Sequence, residues 1–321
     1  MKIQKDNSVK PKKGSFAENW ELYVLLIIPV VLVVIFKFLP MAGLSIAFMD
    51  YKPFLGFSGS TFTGLETFKE VFTSPEFYSA LKNTLLLNIL DLLLGFPAPV
   101  ILAIFINEIH CKWFKRTSQT ILYLPHFLSW VIIGGLAYQM FTLSDGYVNN
   151  VMDSLSQINW GGFHPFGYMH RVPFLEEPNN WIVSYVLIGV WQSMGWGTII
   201  YLAAITGIDA ELYEAATVDG AGRWRKIWSI TLPCLKSTIV VMLIMALGRI
   251  MGSSFDRPYT LTNTKVSEVS NVIAMYVYNV GLQSSRFNLA TAIGLFQSIV
   301  GVILVLLADR IAKLMGESGI V

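Results

Sequence analysis

Charge is scarce in this chain. Only 14 % of its 321 residues are Asp, Glu, Lys or Arg, against about 25 % in a soluble domain. A net charge of +2 is too small for a nucleic-acid surface. Cysteine is almost absent, with Cys111 and Cys234 alone, both in segments placed below in the cytoplasm. Thiols stay reduced there, so neither a disulfide nor a Cys-based metal site is expected. The four histidines are scattered, and His164 and His170 are too isolated to form a ligand set. Gly-x-x-x-x-Gly-Lys-Ser/Thr does not occur, so the chain has no phosphate loop with which to hydrolyse ATP itself. An intramembrane enzyme would need a clustered nucleophile or metal set, and a secondary transporter would show internal repeats and an ion-coupling site; none is visible. No catalytic residue is expected.

What abounds is apolar side chain, 54 % of the residues, gathered into runs. Six runs exceed the ~20 residues that cross a ~30 Å hydrocarbon core, at about 22–43, 81–107, 118–141, 181–206, 237–258 and 287–309. Helices satisfy every backbone group within their own segment, so the pattern predicts an all-α polytopic membrane protein. Pro29, Pro97, Pro99 and Pro125 lie inside these runs and mark kinks or helix ends. Five lysines from Lys2 to Lys13 precede the apolar run Tyr23 to Leu39, with no small-x-small cleavage site after it. That reads as a retained signal anchor. Residues 1–20 are then a basic cytoplasmic tail, 21–314 the transmembrane domain and 315–321 a short cytoplasmic tail.

Lys and Arg set the orientation. With the N-terminus inside, fourteen fall in cytoplasmic segments: the five at the N-terminus, Lys112, Lys115, Arg116, Arg223, Arg225, Lys226, Lys236, Arg310 and Lys313. Seven fall outside: Lys52, Lys69, Lys82, Arg171, Arg257, Lys265 and Arg286. The bias predicts an N-in, C-in topology. Lys37 lies near the outer end of its span, where it can snorkel to the interface. The outer segments 44–80, 142–180 and 259–286 are long. The middle one holds Trp160, Phe163, His164, Phe166, Tyr168 and Phe174, which suits either a docking surface or a folded cap over the helix ends.

Between the fourth and fifth runs, residues 207–236 read as two short helices broken at Gly220–Gly222, where glycine permits a sharp turn. Ala215 and Ala216 would let another backbone approach, and Glu214 and Asp219 offer acceptors to a basic partner. Trp224, Ile227, Trp228 and Ile230 are expected to pack against the spans, and Pro233 to stop the element before the fifth span. Periodicity alone fits a plain interfacial amphipathic helix equally well.

The wording of the segment decides the matter. Glu214-Ala215-Ala216, then Asp219-Gly220-Ala221, then an ending through Leu232-Pro233 resembles the EAA loop of ABC-importer permeases of the carbohydrate, maltose-type family. Gly64-Leu65 through Phe68, Phe72, Phe77, Asn83-Thr84, Asp145-Gly146 with Asn149, Trp191 to Trp196 and Tyr201 to Ala204 are similar to that family too. The stretch from Tyr276 through Ala290 and Gly294 to Asp309-Arg310 resembles its subgroup for complex, including uronate-containing, oligosaccharides. Only about the first twenty residues lie outside the pattern.

The resemblance implies a type I importer permease in the bacterial plasma membrane, forming half of a pathway for an oligosaccharide. A peptide, lipid or polyol is the alternative cargo. It also implies a second, homologous permease, an ATPase dimer carrying the ATP and Mg, and an extracellular sugar-binding protein, with no cofactor on this chain. Glu214, Ala215, Ala216, Asp219, Gly220, Ala221, Leu232 and Pro233 would couple to the ATPase.

Two charges lie well inside spans, Asp91 and Arg249, and such residues are paired or functional. On the second run Asn88, Asp91, Gly95 and Ala98 share one face, and on the fifth Arg249, Ser253 and Asp256 share another. Asp91 and Arg249 could pair, or either could line the sugar pathway. By resemblance the pathway falls at Arg249 and Ser253 and in the Trp191–Trp196 region. Arg249 is assigned to it, with Asp91 as the structural mate or a further lining residue. Gly294, Ser298 and Gly301 are expected to allow close helix packing.

The topology has a direct check. Cys111 and Cys234 should resist membrane-impermeant thiol reagents in intact cells and react after permeabilisation, while Ser156→Cys should react from outside. The opposite labelling would overturn the N-in arrangement.

Overall fold

The computed structural model describes residues 20–158, 170–252, 254–314 and 316, so expectations resting on Trp160, Phe163, His164, Phe166, Tyr168, Ser253 and most of the two tails lie outside it. The chain begins in α1 (Trp20–Val33), which continues through a π turn at Val34–Phe38 and a 3-10 stretch at Leu39–Phe48. This first span is unburied over its apolar window, as expected of a helix apolar all round whose neighbour is lipid. Its end packs on the last helix of the chain, where Ala47 is fully buried. A short antiparallel ladder, β1 (Met49–Asp50) with β2 (Thr61–Phe62), closes the following loop with Met49 opposite Phe62.

Helix α2 (Glu66–Thr73) leads to α3 (Pro75–Gly95) and α4 (Pro97–Asn107), one span with a joint at Phe96. It starts six residues before the expected position 81. Ser74 caps it by accepting the Phe77 N–H at 3.4 Å, and Pro75 occupies the first turn, where its missing donor costs nothing. The third run is not the single helix expected over 118–141. Helix α5 (Lys112–Tyr123) and a 3-10 turn at Leu124–Phe127 meet α6 (Trp130–Phe141) at 103°. Pro125 sits in that turn and Ser129 caps α6 by accepting the Ile132 N–H, so the break is built from helix-stop and helix-start chemistry.

After α7 (Tyr147–Ser156) comes α8 (Pro178–Thr206), the most buried of the long spans. At Gly195 an added Cβ would land on the Leu122 carbonyl, so only glycine lets α8 pass α5 backbone to backbone. The loop helix α9 (Ala210–Val218) precedes α10 (Arg223–Lys226), a π turn at Ile227–Thr231 and α11 (Leu232–Gly248). These last three form one continuous 26-residue helix, Arg223–Gly248. Pro233 does not stop it. The Leu232 N–H bonds five residues back to Ile227, and this widened turn carries the helix past the missing proline donor. Cys111 and Cys234 are both exposed, but Cys234 lies inside this helix, leaving Cys111 as the reporter of the aqueous face.

The fifth span also ends early. Helix stops at Gly248, not at 258, and Arg249 and Asp256 therefore share no helical face. The chain returns through α12 (Asp256–Leu261), α13 (Ser267–Ser270) and α14 (Ile273–Tyr278) before α15 (Phe287–Leu314). Helices α11 and α15 cross where an added Cβ on Gly301 would sit 3.0 Å from the Gly248 carbonyl, the close approach expected there. Within this chain an added Cβ on Gly294 would meet nothing and Ser298 is exposed, so neither makes a close helix contact inside the subunit.

The returning loop is held by side chains that satisfy its backbone. Asn83 donates to the Glu268 carbonyl at 2.7 Å, Thr84 accepts the Ile273 N–H at 2.8 Å, and the Trp181 indole donates to the Leu261 carbonyl at 2.8 Å. Asn83-Thr84, noted in the sequence as part of a pattern, thus has a physical task. The described part of the middle outer segment folds down over the helix ends as a cap. Asn263 donates to the Leu175 carbonyl, and Lys265 meets Glu176 at 2.5 Å, holding the Glu176 carboxyl below the usual carboxylate range.

Candidate functional site

Asp91 is paired, but not with Arg249. Its two oxygens take Nη1 and Nη2 of Arg257 at 2.6 and 3.1 Å, a bidentate contact between α3 and α12. Arg257 also donates to the Tyr185 carbonyl, and its Cζ lies 3.7 Å from the Tyr185 ring centroid and 5.5 Å from that of Trp130. Its side chain is only 10 % exposed, although the sequence reading placed Arg257 among the outer loop charges. The reason is the early stop at Gly248: the chain turns back and drives α12 inward. Gly189 makes room, since an added Cβ on it would fall on the guanidinium. Asp91, alone in an apolar run, was the signal that a cation must be near; only the turn decides which.

The unwound stretch after Gly248 lies deep in the bundle and needs partners for its carbonyls. Asn88 of α3 donates to the Ile250 carbonyl and Gln297 of α15 to that of Met251, each at 2.7 Å. Beside this stretch opens a cavity of about 450 Å³ bounded by α3, α4, α8, α11 and the 3-10 turn of the broken span. Asp91, Trp196, Arg249 and Arg257 all line it. Arg249 is exposed, and among the described residues its side chain makes no hydrogen bond or ion pair. Since Asp91 and Arg257 neutralise one another, the cavity holds one cation in surplus. Trp191 does not line it. Five residues along a helix turn a side chain by about 140°, so Trp191 and Trp196 cannot share the wall.

His126 escaped sequence reasoning altogether. It sits in the 3-10 turn, lines the cavity and stacks on Trp196 with ring centroids 4.6 Å apart and planes 8° from parallel. Its Nδ1 is buried and has no hydrogen-bond partner. The signal was Pro125: a broken helix at membrane depth exposes polar groups only where a cavity receives them.

The loop 207–236 forms the break expected at Gly220–Gly222. Gly220 adopts φ +76°, while the Ala221 N–H bonds to the Ala216 carbonyl and the Gly220 N–H to that of Thr217. This is a left-handed glycine cap on α9. Glu214, Ala215, Asp219 and Gly220 are exposed, Ala216 and Ala221 half-buried. The opposite side of α9 is tied to the long helix, with Tyr213 Oη 2.9 Å from Thr231 Oγ1 and Lys226 Nζ donating to Thr217 Oγ1 at 2.7 Å. Leu232 and Pro233 stand apart from the exposed face, and Leu232 packs against the core formed by Val100, Ala103 and Tyr201. Ile227 is buried as expected, whereas Trp224 and Trp228 are each 69 % exposed.

The pairing of Asp91 can be tested by stability. Arg257→Met strands a carboxylate and should cost about 3–5 kcal/mol, seen as a lower thermal midpoint of the purified complex. Asp91→Asn with Arg257→Met should recover most of the loss. Arg249→Met should leave stability unchanged; a loss equal to that of Arg257→Met would return Asp91 to Arg249.

The family described as the binding-protein-dependent transport system inner membrane component matches residues 77–317. The polygalacturonan/rhamnogalacturonan transport system permease protein YteP of Bacillus subtilis (strain 168) is 43 % identical over 93 % of this chain and 89 % of its own length. Protein LplB of the same organism is 41 % identical over 94 % and 91 %. Among solved structures, a chain of a bacterial alginate ABC transporter, in complex with a periplasmic protein bound to an alginate pentasaccharide, superposes with a TM-score of 0.82. It is 38 % identical, and the match covers 95 % of this chain and 98 % of that one. With its bundle of long apolar helices, the chain is a non-catalytic, multi-pass permease subunit of a bacterial plasma-membrane ABC importer and belongs to the binding-protein-dependent transport system inner membrane component family.

Proposed function

We propose that this permease conducts an acidic oligosaccharide through the cavity beside Arg249, and that Arg249 engages the carboxylate or vicinal hydroxyls of the sugar. The observation that carries the reading is a guanidinium without a partner in a cavity whose other two charges cancel. A cation at such depth is costly, about 2.5–3.5 kcal/mol on insertion scales, and its planar donor fork suits a carboxylate. The stacked His126–Trp196 pair offers an aromatic wall to a sugar ring. Relatives named for polygalacturonan and rhamnogalacturonan, and a structural neighbour that imports the acidic polysaccharide alginate, support the same cargo class.

In this reading the pathway is completed by a second, homologous permease and loaded by an extracellular binding protein. An ATPase dimer on the loop side, with its ATP and Mg, drives it. The exposed face of α9, with Glu214, Ala215, Ala216, Asp219, Gly220 and Ala221, receives that ATPase. The two ties from α9 to the helix Arg223–Gly248 pass its movement along a rod about 39 Å long at 1.5 Å per residue, whose far end is Arg249. The loop and both tails are cytoplasmic.

Two measurements test this. Arg249→Met should assemble normally yet lower uptake of an acidic oligosaccharide about 10- to 100-fold, the scale of a lost charge-assisted hydrogen bond. Full uptake per assembled complex would remove Arg249 from the pathway. Gly220→Trp, whose Cβ would meet nothing of its own chain but whose bulk strains the left-handed turn and blocks a close approach, should detach the ATPase and abolish uptake. Gly220→Asn, which tolerates the left-handed conformation, should retain both. ATPase copurifying equally with the Trp variant would refute the docking face.

A further inference from the structure

A second cavity lies at the opposite end of the long helix, on the side of the coupling loop. It measures about 510 Å³ and runs between α4 and the first turns of the helix Arg223–Gly248. Its walls are apolar, with Ile101, Ile104 and Phe105 on one side and Trp224, Ile227 and Trp228 on the other. Charge enters only at the rim, through Arg223 and Glu108. Neither rim group makes an ion pair or side-chain hydrogen bond among the described residues. Arg225 and Lys226 follow Arg223 after Trp224, so three of the four residues of α10 are cationic.

The groove reaches from Glu108, just past the end of α4, back to Val100. Eight residues of helix span about 12 Å, the depth over which a headgroup, a glycerol and the upper part of an acyl chain lie in a bilayer. Trp224 and Trp228, one turn apart and largely exposed, have the amphipathic rings that settle at that interface. An apolar trough of this length, with the Arg223 guanidinium and the Glu108 carboxylate at its rim, has the shape and polarity of one amphiphile whose head carries a phosphate and an ammonium. Basic pockets between spans on the cytoplasmic side hold such headgroups.

We propose that this groove binds a membrane glycerophospholipid, its phosphodiester at Arg223 and one acyl chain laid over Ile101 and Phe105 between the two tryptophans. The lipid would sit against α10, which begins at Arg223 immediately after the turn Gly220–Gly222. Its presence would therefore stiffen the root of the coupling loop. The cytoplasmic leaflet as its source rests on the loop orientation proposed above; the groove itself does not.

A photo-crosslinking amino acid placed at Trp228 in the assembled transporter, embedded in vesicles of phosphatidylglycerol and phosphatidylethanolamine, supplies the test. Irradiation should yield a phospholipid adduct on this chain. Arg223→Gln, and Ile101→Trp, which fills the trough from an exposed position, should each reduce that adduct at least fivefold with the complex intact. An adduct to another protein chain would show that the groove is a subunit contact and overturn the proposal. So would a lipid adduct that neither variant diminishes, since it would reflect bulk bilayer alone. Thiol labelling of Cys111 reports the orientation separately, so an inverted topology would not be mistaken for failure of the lipid site.

Discussion

Taking a carboxylate and a guanidinium out of water costs several kcal/mol per ion, recovered only when geometry is good and every remaining donor finds an acceptor. Asp91 and Arg257 meet the first with two parallel bonds, a third to the Tyr185 carbonyl and an aromatic face beneath the guanidinium, while the buried Arg257 Nε has no hydrogen-bond partner among the described residues. The pair joins α3 to α12 directly and passes over α8 through the gap left by Gly189. With it in place the returning loop lies against the bundle, and Asn83, Thr84 and Trp181 complete its backbone bonds. The cavity wall follows from this closure, as does the surplus charge of Arg249.

The same demand for satisfied backbone shapes the unwound stretch after Gly248. A helix that stops inside a membrane leaves carbonyls that water cannot reach, and Asn88 and Gln297 arrive from two other spans to accept that duty as donors. A rod running from the loop to such a stop is mechanically apt for a transporter. In the function proposed above, movement applied at α9 would reach the cavity along one continuous helix. Coupling between sites requires an element whose position both can bias, and the helix Arg223–Gly248 touches both.

Much of this was legible before any coordinates. Long apolar runs cross a membrane because length and composition alone satisfy the hydrocarbon, so the runs near 22–43, 81–107, 181–206 and 287–309 appear as helices within a few residues. The break at Gly220–Gly222 was readable because the left-handed turn it makes favours glycine. The third run was misread in its interior and the fifth at its end. Pro125 stands in the first interruption, at Leu124–Phe127, and Arg249, Gly252 and Asp256 follow Gly248 at the second, but such residues do not by themselves distinguish a kinked helix from a turn lined by neighbours.

The sequence by itself determined the class of molecule, the long apolar runs, the glycine break in the loop and the demand that Asp91 be paired or functional. Local composition decides each of these, through transfer to lipid, glycine's freedom at positive φ and the cost of a lone buried charge. Only the tertiary structure decided that the cation is Arg257, that Arg249 is left over, that Trp196 and not Trp191 faces the cavity, and that His126 joins it. Those are matters of which groups meet across five elements. The angle at which a chain turns after its last helical residue fixes them, and no spacing along the sequence encodes that angle.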